Sequence, residues 1–197
     1  MNHEVNEIVD CLLKGGIVLI PTDTVYGLAV KPDFEESIGR LYTLKNRPRH
    51  LNLPIMVSSV NELECLGIEI NNCARRLLES RFVPGALTLA LGFKDKPLVP
   101  WLKDREEVAI RIPNNQRLLS VLKETGPLLV TSANKHGLPS SKSLQEILGQ
   151  LNGKPDKMID GGDLRTVPST LINCRLNPPV VERFGDIPEL ELIELLQ

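Results

Sequence analysis

A chain of 197 residues, 42% apolar and 24% charged, is long enough to bury one real core. Its net charge of −2 gives no overall field to attract nucleic acid, and 4% aromatics leave no rows of rings for stacking single-stranded bases. No apolar run is long enough to span a bilayer, and acids interrupt the N-terminal apolar pattern, so neither a membrane span nor a signal peptide is expected.

The first element follows from Val5, Ile8, Val9, Leu12 and Leu13, which recur at helical spacing until Gly15-Gly16 stops them. Ile17–Ile20 reads as a buried strand that ends at Pro21. A polar turn, Thr22-Asp23-Thr24, follows, and Gly27 is expected to let the backbone turn into the next apolar segment. Asp33 has the place of an N-cap for a helix over Phe34–Leu44. Pro54–Val57 predicts a short strand, and Asn61–Leu66 and Asn71–Arg81 predict helices. Ala86–Phe93 is a strand after a Pro84-Gly85 turn, and Val108–Pro113 is another. A helix is expected from about Asn115 to Lys123, a strand over Pro127–Asn134 and a helix over Ser143–Leu151. The stretches "STLINC" and "VVERF" give the last two strands, and Glu189–Leu196 a terminal helix. The segments "NNCARR" and "KPLVPWLKDREE" read as connections with solvated charge. Helices and strands alternate, yet several strands follow one another directly. That pattern predicts an α/β fold with a mixed open sheet flanked by helices, in a single domain over residues 1–197.

Several strands hand over to small polar or basic residues. Ile17–Ile20 gives Thr22-Asp23-Thr24; Leu128–Val130 gives Thr131-Ser132-Ala133-Asn134; "VPSTLIN" puts Ser169 and Thr170 at a strand start. One such stretch is turn chemistry. With Val108–Ile112, which carries Arg111, they make four, and together they point to a site, because ligands collect at strand ends in open α/β sheets. Arg111 lies inside apolar "VAIRI", on the face opposite Val108, Ile110 and Ile112. It is either paired with a surface carboxylate or a bidentate clamp on a ligand carboxylate or phosphate. Lys45, Arg47, Arg49 and His50 form the one dense cation cluster. They complement the end of the preceding helix or hold an anion between them. The common phosphate loops are absent, as is a nucleophile elbow. Cys11, Cys65, Cys73 and Cys174 form no C-x-x-C, and the histidines make no metal-binding spacing, so reduced cysteines, no metal site and a cytoplasmic location are expected.

The ordered set "PTDTVYGLAV", "LKNRP", "FVPGALTLAL", "VAIRIP", "LLVTSAN", "PSTLIN" and "VERFGDI" resembles the YrdC/TsaC family of threonylcarbamoyl-AMP synthases, from Gly15 to about Ile187. The resemblance implies a twisted α/β sheet with a large basic concave cavity. It also implies a nucleotidyltransferase that turns L-threonine, bicarbonate or CO2, and ATP, with Mg2+, into threonylcarbamoyl-AMP and pyrophosphate. A separate transferase complex then modifies adenosine 37 of tRNAs that read ANN codons (the t6A modification). By resemblance Thr24, Arg111 and Ser169 bind threonine. Lys45, Arg47, Ser132, Asn134, Ser140 and Arg183 bind ATP, with Lys45 and Arg47 also acting in catalysis. Two departures stand out: Asn52 in "RPRHLNLPIM" is nearest to the Asn-Pro-Leu of many relatives, and "FVPGALT" replaces Trp-Pro-Gly-Pro. With no second domain, the chain is expected to be the short type. The alternatives are a non-enzymatic factor that uses the same cavity for double-stranded RNA, tRNA or ribosome assembly, and, behind it, a carbamoyl-transfer module like that of hydrogenase maturation factors. Weak direct tRNA or RNA binding is a further expectation.

Overall fold

The computed structural model describes residues 3–196. One sheet of nine strands runs through it. The strands are β1 (Val18–Pro21), β2 (Tyr26–Val30), β3 (Ile55–Met56), β4 (Leu87–Leu91), β5 (Val108–Arg111), β6 (Leu128–Ser132), β7 (Lys157–Met158), β8 (Thr170–Asn173) and β9 (Val180–Arg183). Their order across the sheet is β7-β1-β2-β6-β3-β5-β4-β8-β9. Pairing is mixed: β1–β7, β3–β5 and β4–β8 are parallel, and the other five contacts are antiparallel. The expected mixed open sheet is therefore present.

Seven helices flank it: α1 (His3–Leu13), α2 (Glu35–Lys45), α3 (Asn61–Cys65), α4 (Asn72–Leu78), α5 (Gln116–Thr125), α6 (Leu144–Gln150) and α7 (Glu189–Leu196). Their starts follow from side-chain caps. Asn71 Oδ1 accepts from the Ala74 amide at 2.9 Å, Asn115 Oδ1 from the Leu118 amide at 3.0 Å, and Ser143 Oγ from the Glu146 amide at 3.4 Å. Asp33 does not cap α2, contrary to expectation. Its carboxylate pairs with Lys31 at 3.1 Å, and Phe34 holds the cap position with no side-chain bond. Neither segment expected to be solvated connection is wholly so: most of "NNCARR" lies in α4, and in 96–107 a 3-10 turn, Pro100–Leu102, buries Leu102 completely.

The side-chain alternation of the strands builds two cores. Ile17, Leu19, Tyr26, Leu28, Ile55, Leu87, Leu89, Val108, Ile110 and Ile172 point to one face and form the larger core with α2, α3, α4 and α6. On the other face Val18, Ile20, Ala29, Met56, Leu128 and Val130 pack under α1 and α5, where Ile8, Leu12, Leu118 and Leu122 are fully buried. Each such aliphatic side chain contributes about 2 kcal/mol of burial. This second core contains no residue of β4, β5 or β8. On that half of the face alternation presents mostly small or polar side chains instead, Thr88, Ala90, Ala109, Arg111 and Asn173, with Leu171 the one large apolar residue beside them. A sheet half-roofed by two helices thus leaves a polar floor beside them.

A candidate amino-acid site on the open half of the sheet

A cavity of about 170 Å³ lies over this floor. Gly27, Met56, Thr88, Ala109, Arg111, Val130 and Leu171 form its base, and Thr22, Arg47, Ser132, Pro168, Ser169 and Arg183 stand around it. Sites for drug-sized ligands usually enclose about 300–1,000 Å³, so this one is the size of an amino acid. Three arginines line it, and no carboxylate does among the described residues.

Arg111 is 5% exposed and projects from β5 into this space. Its Nε donates to the Gly85 carbonyl at 3.0 Å, one terminal nitrogen to Thr24 Oγ1 at 2.8 Å, and the other to Asp23 Oδ1 at 2.8 Å. Burial pushes the guanidinium pKa down, and Asp23 counters that. Arg111 therefore has a carboxylate partner, as one of its two sequence readings expected, but the pair is buried at the edge of the cavity and not on the surface. The turn that supplies Asp23 and Thr24 is braced from within. Thr22 Oγ1 accepts from the Thr24 amide at 3.1 Å and donates to the Val25 carbonyl at 2.6 Å.

The opposite wall is built by the β8–β9 pair. Leu171 and Arg183 are register partners, so Arg183 faces the cavity. Its Nε donates to the Ser169 carbonyl at 3.0 Å and a terminal nitrogen to Ser169 Oγ at 3.2 Å. Ser169 Oγ also shares a hydrogen bond of 2.7 Å with Thr88 Oγ1. Burial and the neighbouring Arg111 both push the Arg183 pKa down, so an anion between the two arginines relieves their repulsion.

The cation cluster 45–50 does not act as one group. Arg47 lines the cavity, with its guanidinium donating to the carbonyls of Leu51 at 3.2 Å and Asn52 at 3.1 Å. Lys45 is 1% exposed and turns inward, donating to the carbonyls of Ser132 and of Asn134 (2.8 Å). Burial, with a smaller push from Arg47, lowers its pKa to about 7. Arg49 lines a separate open groove with Glu35, Glu36 and Arg40. Asn134 is buried in the loop after β6. Its amide nitrogen donates to Leu138 at 2.6 Å, while its Oδ1 has no partner among the described residues. Ser140 is half-buried in the same loop and does not line the cavity.

The structure thus brings Arg47, Arg111, Ser132, Ser169 and Arg183 together, with Thr24 directly behind Arg111. Lys45 and Asn134 lie behind Ser132. Gly27 is not at a turn. It sits within β2 between Ile20 and Ser132, and a Cβ there would lie 2.8 Å from Val130 Cγ1. Thr88 escaped the sequence reading although it carries the same signal as Arg111, a polar residue inside an apolar strand. Among the described residues no group of three His, Cys, Asp or Glu side chains could hold a metal, and no helix is long and apolar enough to cross a membrane.

The Sua5/YciO/YrdC family, described as telomere recombination, matches residues 10–185, and the chain belongs to it. It is 33% identical over 184 residues to a threonylcarbamoyl-AMP synthase of Bacillus subtilis, covering 92% of this chain and 53% of that protein. It superposes on Pyrococcus abyssi Sua5, solved in complex with L-threonine, with a TM-score of 0.86 at 33% identity, over 98% of this chain and 57% of the other. Escherichia coli YciO superposes with a TM-score of 0.82 at 28% identity, over 94% and 90%. The chain therefore spans about half the length of the curated synthases it first matches.

Proposed function

We propose that this chain is a cytoplasmic L-threonylcarbamoyladenylate synthase that supplies the t6A modification of tRNA. The observation that carries the reading is the Arg111 clamp: a buried guanidinium gripped by Asp23, Thr24 and Gly85 in a cavity of amino-acid size. The Bacillus subtilis relative named as such a synthase and the Pyrococcus abyssi relative that holds L-threonine support it.

In this reading the threonine carboxylate docks on Arg111, and Ser169 holds the amino acid from the opposite wall. The neutral amine then takes up CO2 with release of a proton to solvent, or bicarbonate with loss of water, to give an N-carboxylate. One oxygen of that carboxylate attacks the α-phosphorus of ATP. The bond from the α-phosphorus to the bridging oxygen breaks, and pyrophosphate leaves. Every reacting species is an anion, so the arginines bring them together and stabilise the transition state. ATP enters as its Mg2+ complex and lies across the cavity mouth. Arg47 and Arg183 meet phosphate there, Lys45 adds charge behind Ser132, and Ser132, Asn134 and Ser140 orient the nucleotide. The orphaned Asn134 Oδ1 suits an acceptor for a nucleotide N–H or O–H. The adenylate passes to a threonylcarbamoyl transferase complex.

The test incubates purified protein with threonine, bicarbonate and labelled ATP. Pyrophosphate release that depends on threonine is expected. RNA binding with a steep salt dependence and no adenylate formed would instead make the chain a non-enzymatic RNA-binding factor.

A further inference from the structure

We propose that Asp23 is a positioning residue, which sets the Arg111 guanidinium so that its remaining hydrogens are held in place for the substrate carboxylate. This rests on the proposed threonine reading. A guanidinium has five N–H donors. Nε spends its hydrogen on Gly85, and the two terminal nitrogens each spend one, on Thr24 and on Asp23. Each terminal nitrogen keeps one more hydrogen for an oxygen of the incoming carboxylate.

Which pair remains depends on what holds the plane of the group. Gly85 and Thr24 fix two of its three nitrogens and leave the third free to tilt. Asp23 takes that third nitrogen at 2.8 Å, and its own side chain is only 14% exposed. Asp23 and Thr24 are consecutive residues of one turn, so the two terminal nitrogens are gripped from a single rigid source. The other carboxylate that faces Arg111, Asp186, is engaged elsewhere, accepting from Arg165 at 2.9 and 3.1 Å. Asp23 has a second effect. It is an internal carboxylate on the same cation, so the empty cavity never holds a bare buried charge.

The experiment compares wild type, Asp23→Asn and Asp23→Ala. Asparagine keeps the Oδ1 acceptor and loses the charge; alanine loses both. Threonine and ATP affinities are measured by calorimetry, and KM and kcat from pyrophosphate release. Rotation of the Arg111 guanidinium about Nε–Cζ is followed by nitrogen-15 exchange on ligand-free protein and assigned with Arg111→Lys. Asp23→Ala is expected to weaken threonine binding about tenfold or more and to speed guanidinium rotation, with ATP affinity within about twofold of wild type. Asp23→Asn is expected to recover most of both. Unchanged rotation in Asp23→Ala, or equal losses in both variants, overturns the proposal, as does a parallel loss of threonine and ATP binding. If wild type binds no threonine, the functional reading fails instead, and the rotation measurement still decides whether Asp23 fixes the guanidinium.

Discussion

Replacing Lys45 by methionine tests how the fold keeps a cation in its interior. The ammonium is 1% exposed, and burial with help from Arg47 lowers its pKa from 10.5 to about 7. Between those two values the unfolded chain holds a proton that the folded chain has released. Stability therefore rises with pH across that window and is independent of this group below about pH 7. Each pH unit is worth about 1.4 kcal/mol, so three units from pH 7 to 10 amount to about 4 kcal/mol. The two carbonyls that accept from Lys45, those of Ser132 and Asn134, oppose this by favouring the charged form. Urea denaturation of wild type and Lys45→Met at half-unit steps from pH 6 to pH 10 isolates the effect, because every other titrating group cancels in the difference. Wild type is expected to gain about 4 kcal/mol on the variant between pH 7 and 10. A difference that stays flat refutes the reasoning, and shows that the two carbonyl acceptors outweigh burial.

Arg111→Ala should abolish measurable threonine binding while ATP affinity falls by less than about tenfold; equal loss of both contradicts the clamp. If phosphate approaches Lys45, ATP binding at pH 8 takes up a proton, since a nearby anion raises a depressed lysine pKa. Calorimetry in buffers of different ionisation enthalpy reads that uptake, which should vanish in Lys45→Met. Gly185→Ala should cost about 2 kcal/mol or more in thermal unfolding, because its Cβ would fall closer than 3.0 Å to backbone atoms of Pro168, Ser169 and Thr170. The same variant should raise the threonine KM, because Ser169 moves with that backbone.

Alternation and caps made most of the fold legible, because both are local. The faces of β5 follow from "VAIRI" alone, and three of the helix starts follow from Asn71, Asn115 and Ser143. What escaped was set by partners far along the chain. β7 is two residues long and exists because β1 offers it an edge. β2 was hidden behind the turn, and its Gly27 is demanded by Val130, which lies on β6, four strands further along the sequence. The Arg111–Asp23 pair joins residues 88 positions apart, so no window of sequence could show it. The basic cluster misled in the opposite direction. Lys45, Arg47 and Arg49 are adjacent in sequence, yet they end in three different environments once the helix has stopped at Asn46, which takes a left-handed backbone.

Gly27, Thr88 and Ala109 stand at interior positions of strands with a hydrogen-bonded neighbour on either side. Backbone so held does not yield to a ligand, so room over it changes only in steps of whole carbon atoms. A shift of preference towards a bulkier or slimmer ligand is therefore accessible through single exchanges among glycine, alanine, serine and threonine at Ala109, whereas a Cβ at Gly27 meets Val130 and Thr88 is tied to Ser169. Such exchanges leave the charged walls, and the chemistry they support, in position. Evolution of this cavity is a matter of tiling its floor.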